Sequence, residues 1–139
     1  MATSTPIAAR ARRVVRKRIT FAGGSGTGAV GTVAALTSIG VVWIESLNIH
    51  CVTGLTSSGG TISLGISGDT AAVIPVTTAS DIDTGEQWVD TVPAKIDQPI
   101  KDLTISDDLI FTVATADITA GVLEIEVIFD SMSADGYLS

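Results

Sequence analysis

Apolar and polar residues alternate along much of this chain, and the period is two. The clearest run is residues 61–67, where Ile62, Leu64 and Ile66 share one face and Thr61, Ser63, Gly65 and Ser67 share the other. Residues 122–129 repeat the pattern, with Leu123, Ile125, Val127 and Phe129 opposite Val122, Glu124, Glu126 and Ile128. Looser alternation predicts further strands over residues 14–21, 30–37, 41–52, 71–76, 100–105 and 109–114. Turn signals separate them: a glycine-rich stretch at 22–28, Gly40, Ser-Ser-Gly-Gly at 57–60, Gly68-Asp69, Asp107-Asp108 and residues 117–121. Proline removes a ladder donor, so Pro75 predicts an edge position for strand 71–76. The turn at 117–121 predicts a hairpin between 109–114 and 122–129. Residues 77–98 read as a long acidic surface loop, and 131–139 as a polar tail.

These turn signals recur about every 8–12 residues, the spacing of a sandwich or barrel. Helical periodicity with caps is nowhere sustained. The expected fold is all-β: a two-sheet, jelly-roll-like sandwich of roughly eight strands. Composition agrees, because most of the 45% apolar content is Val, Ile, Leu and Ala, with Thr abundant and only 4% aromatic. A chain of 139 residues fits one domain and can bury roughly two-thirds of its unfolded surface without metals or disulfides.

Charge divides the chain. Residues 1–20 hold Arg10, Arg12, Arg13, Arg16, Lys17 and Arg18 and no acid, whereas the rest holds two lysines against 15 acids, a net of −13. The expected organisation is an extended basic N-terminal arm at 1–18 and a β-sandwich domain at 19–139. An acidic body repels nucleic acid as a whole, so any polyanion must meet the arm. Lone Cys51 makes no internal disulfide and no cysteine-based zinc site, which suits synthesis in a reducing compartment. No secretory signal is expected, since Phe21 and glycines follow the cations where an apolar core should stand. No apolar run is long enough to span a bilayer as a helix.

Candidate chemistry is sparse. Gly26-Thr27-Gly28-Ala29-Val30-Gly31 matches the dinucleotide fingerprint, with Glu45 where a ribose-binding acid would be sought. That reading needs a helix after Gly28, and Val30, Gly31, Thr32 and Val33 oppose one. A glycine-rich connection between strands is the stronger reading. Asp81, Asp83 and Glu86 flank Gly85 in a calcium-like spacing, but the EF-hand pattern is not met, and a solvated acidic turn is favoured. His50 and Cys51 are neighbours on a strand, so they point to opposite faces and cannot couple readily. Asp107-Asp108 reads as a solvated turn. No catalytic residue, cofactor or metal is expected, and the chain reads as a non-enzyme.

The basic segment is the most informative feature. It could bind phosphates, yet it has no aromatic residue for base stacking. Docking on an acidic protein surface, where arginine makes paired contacts with carboxylates, is favoured, and direct nucleic-acid contact is not expected. Mean hydropathy of +0.48 points to apolar surface buried between subunits, with Trp43 and Trp88 as natural interface anchors. The alternative for both tryptophans is the domain core.

The strings ITFAGGSGTGAVGTV (19–33), GGTISLGISGDTAAVI (59–74), TTASDIDTGEQWVD (77–90) and SADGYL (133–138) resemble small virion proteins encoded in tailed-phage structural modules. The resemblance implies a capsid cement or decoration protein. Such proteins form trimers or other oligomers on the phage head, bridge neighbouring major capsid subunits and resist internal DNA pressure. It implies assembly in the host cytoplasm, a trimer in preference to other oligomers, the major capsid protein as partner, and no membrane. A receptor- or carbohydrate-binding module on a tail or head fibre is the alternative, with Trp88 in the acidic loop stacking on sugar.

Overall fold

Two long strands run through the centre of the molecule, β4 (Val42–Ser57) and β9 (Ile118–Ser131). They pair antiparallel, from Val42 opposite Ser131 to Ser57 opposite Ile118. The structure is a computed structural model and describes residues 12–139. On β4, Val42, Ile44, Leu47, Ile49 and Cys51 point inward and are buried. A bulge at Glu45 shifts the inward series by one residue, which keeps both halves of the strand facing the core.

β1 (Arg13–Thr20) flanks β9, and β7 (Ile100–Ile105) flanks β4, giving a first sheet in the order β1-β9-β4-β7. The second sheet has the order β2-β8-β5-β6, from β2 (Gly31–Leu36), β8 (Leu109–Ala114), β5 (Thr61–Ile66) and β6 (Asp69–Thr78). Every pair in these sheets is antiparallel. A short ribbon of β3 (Ser38–Ile39) and β10 (Tyr137–Leu138) lies apart from both sheets. With that ribbon set aside, the eight strands pair first with last, second with seventh, third with sixth and fourth with fifth. This nested order is the jelly roll.

The inner faces meet in one core. Phe21, Phe111 and Trp88 form its aromatic centre, with Phe111 stacked near Trp88 at 6.0 Å between centroids and edge-on to Phe21 at 6.2 Å. Leu123, Ile125, Val127 and Phe129 of β9 are all buried, as their alternation requires. Pro75 lies on β6, an edge strand, where its missing N–H breaks no ladder.

Three expectations change. The hairpin between β8 and β9 is absent: β8 belongs to the second sheet and β9 to the first, and residues 115–117 turn the corner between sheets. Alternation states which face of a strand is buried but not which sheet it joins. The loop at 77–98 is less solvated than its acids suggest, because Ile82 and Trp88 are buried. Its residues 85–88 bond along β4, with Trp88 N–H donating to Ile49 O and Cys51 N–H to Glu86 O. The tail at 131–139 also carries structure: Leu138 is buried, and Ser139 exchanges two backbone hydrogen bonds with Thr37.

Candidate functional interface

The cations of the N-terminal segment fall mostly inside the first sheet. β1 starts at Arg13, so the expected boundary between residues 18 and 19 passes through a strand. Arg10 lies outside the described residues. Side chains of Val14, Arg16, Arg18 and Thr20 share the outer face of β1, whereas Val15 and Ile19 turn toward the core.

Register sets what those cations meet. Arg18 lies opposite Glu124, which lies opposite His50; Arg16 lies opposite Glu126, which lies opposite Asn48. Arg16 Nε donates to Glu126 Oε2, and Arg18 Nη2 donates to Glu124 Oε2 at 3.4 Å. Just before the strand, Arg12 Nη1 reaches both carboxylate oxygens of Glu45, at 2.8 and 2.7 Å. This contact and the Glu45 charge raise the Arg12 pKa above its ordinary value. Arg13 instead lies over the Tyr137 ring, 5.5 Å from its centroid, and Lys17 remains exposed. The sequence marks Glu45 only as a candidate ribose-binding acid, and does not mark Glu124, Glu126 or Tyr137 as partners of these cations. The signal was present for two of them, since Glu124 and Glu126 interrupt an apolar strand at alternate positions.

The two tryptophans separate. Trp43 is half-buried on the outer face of the first sheet, between Thr104 and Asp130. Trp88 is fully buried, and its Nε1–H donates to Thr77 Oγ1 at 2.9 Å. Trp88 is therefore a core residue and not a surface anchor. A sugar cannot stack on it, which removes the physical basis of the carbohydrate alternative.

The remaining candidates have structural explanations. Gly31 opens β2, so the glycine motif leads into a strand rather than a helix. Gly28 has φ +133°, and a Cβ there would collide with the Ile118 carbonyl. That glycine lets the loop cross the start of β9, where Ile118 N–H donates to Gly28 O at 2.7 Å. Asp81 and Asp83 are exposed, and Glu86 Oε1 accepts from Asp83 N–H, which closes a turn. Among the described residues, no three His, Cys, Asp or Glu side chains are grouped to hold a metal. His50 is exposed and Cys51 buried, on opposite faces of β4. Asp107 and Asp108 line an open depression of about 470 Å³, where Asp108 Oδ1 accepts from Ser38 N–H.

The fold has structural likenesses. One chain of the cyanophage Pam1 capsid asymmetric unit is 13% identical, at a TM-score of 0.56, covering 88% of this chain and 86% of that one. Another, in the acid-stable capsid structure of Helicobacter pylori bacteriophage KHP30, is 11% identical at a TM-score of 0.55, covering 94% and 98%. At this identity the likeness establishes a common fold. No family model and no curated protein matches the sequence.

Proposed function

We propose that this chain is a non-enzymatic structural protein of a phage head, of the cement or decoration kind. The observation that carries the reading is the near full-length likeness of its jelly roll to chains within two phage capsid structures. The virion-protein resemblance of the sequence points the same way.

In this role the protein works by surface burial. An oligomer, a trimer by preference, sits on neighbouring major capsid subunits and holds them together, and repeated contacts add through avidity. The surface chemistry suits both kinds of contact. Strands β2, β5 and β8 contain no charged residue, so their sheet offers a face on which copies of an acidic chain can pack without like-charge repulsion. The first sheet carries the charged outer face. Arg10, Arg12, Arg13, Arg16, Lys17 and Arg18 are the proposed docking cations, with Trp43 as an apolar anchor beside them. Arg12, Arg16 and Arg18 already hold one carboxylate each, which orients their guanidinium groups; each keeps further N–H donors for a partner.

Mass spectrometry and electron microscopy of the virion whose genome encodes the chain test this. Density for the jelly roll on the outside of the head, meeting several capsid subunits, is the expected result. Absence of the chain from purified particles would overturn it.

A further inference from the structure

A sheet edge is a row of unpaired backbone donors and acceptors, and proteins interrupt such edges to prevent unwanted pairing. Among the described residues, three of the four edges of the two large sheets are interrupted. β6 carries Pro75 and two register shifts against β5. β2 shifts register between Ala34 and Leu36. β7 is broken by Asp102, whose φ is +59°. β1 differs. It pairs with β9 over eight residues with no shift, contains no proline, and is the end strand of its sheet among the described residues.

Register also fixes which backbone groups that edge presents. Phe21 N–H donates to Gly121 O at 2.9 Å, so residue 21 is bonded to β9. Antiparallel ladders alternate, so residues 13, 15, 17 and 19 also bond β9, and Val14, Arg16, Arg18 and Thr20 direct their N–H and C=O outward. Two of the charges that could guard the edge, Arg16 and Arg18, are drawn back over the sheet to Glu126 and Glu124, while Lys17 stays exposed on the other face of the strand.

We infer that the free edge of β1 is a docking site for an extended, acidic strand of a different protein. Side chains of the added strand opposite Arg16 and Arg18 fall on the same face as these arginines, so acids at alternate positions complete their hydrogen bonding. A second copy of β1 is rejected by the same geometry. In the registers of greatest overlap, antiparallel pairing of two such edges sets arginine against arginine, Arg16 on Arg16 or Arg16 on Arg18. The inference deepens the virion reading, since the acidic strand belongs there to another head subunit.

Hydrogen exchange on the full chain tests the edge. The probe is a short synthetic peptide alternating Glu and Val, with a Lys–Val peptide as the control. The amides of Val14, Arg16, Arg18 and Thr20 exchange fast in the free chain, and millimolar Glu–Val peptide slows them about tenfold; the Lys–Val peptide leaves them unchanged. Val14→Pro removes an outward N–H and weakens the peptide effect at an unchanged Tm, whereas Lys17→Pro breaks the β9 ladder and lowers Tm. Equal protection by both peptides, no protection, or protection through dimerisation of the free chain would each overturn the inference. Particle composition tests the virion role separately, so failure of one is distinguishable from failure of the other.

Discussion

Arg16 on β1 lies directly opposite Glu126 on β9, and its Nε–H donates to the Glu126 carboxylate. The pair is one rung of a charged strip, with Arg18 and Glu124 two residues along. An N-terminal segment rich in cations is thus held, in large part, by the acidic body of its own chain.

Removing the strip's carboxylates tests its weight. These pairs are substantially exposed, so each contributes only about 0.5 kcal/mol after solvent screening. Glu124→Gln with Glu126→Gln is expected to lower Tm by about 3–5 °C at low salt. Thermal melts across a salt series check it. The difference between variant and parent shrinks as salt rises, and a salt-independent difference would assign the loss to packing.

Truncation separates arm from strand. A chain beginning at Arg12 keeps all of β1 and is expected to melt as the full chain does. A chain beginning at Ile19 loses most of β1 and uncovers the edge of β9. The lost ladder bonds are worth about 3–9 kcal/mol together, comparable with a whole domain's stability. Circular dichroism of the two chains distinguishes these outcomes; equal melting would show that β1 is dispensable to the fold.

The tryptophans are expected to respond differently to Ala. Trp88→Ala empties a fully buried site and leaves Thr77 Oγ1 without its donor, for a loss of about 3–5 kcal/mol. Trp43→Ala, at a half-buried surface position, costs about 1 kcal/mol. Urea unfolding of both variants measures this. If Trp43 anchors a partner, its variant also loses association while remaining folded.

Cys51 carries a pH signature. Burial, reinforced by the charges of Asp83 and Glu86, pushes its thiol from an ordinary 9.0 up to about 11. The folded state therefore holds the proton where the unfolded state releases it. The stabilisation is fully present below pH 9 and is lost as pH rises toward 11, by up to about 3 kcal/mol. Denaturation midpoints measured from pH 8 to 11 should fall accordingly, with a flatter profile for Cys51→Ala. In the native chain at pH 8, a thiol reagent should label Cys51 only through unfolding.

Period-two alternation in residues 61–67 and 122–129, Pro75 at an edge, and the segregation of six cations from 15 acids were all legible in the sequence. They depend on neighbours a few residues apart, and local sterics and burial decide them. What the tertiary structure alone decided was partnership. Arg16 and Glu126 stand 110 residues apart, and only the nesting of β1 against β9 brings them together. The same nesting sends β8 and β9 to different sheets and draws Trp88 from an acidic loop into the core. Alternation names the buried face of a strand. The choice of which strand lies beside it comes from packing two whole sheets around one core, and that information is spread over the entire chain.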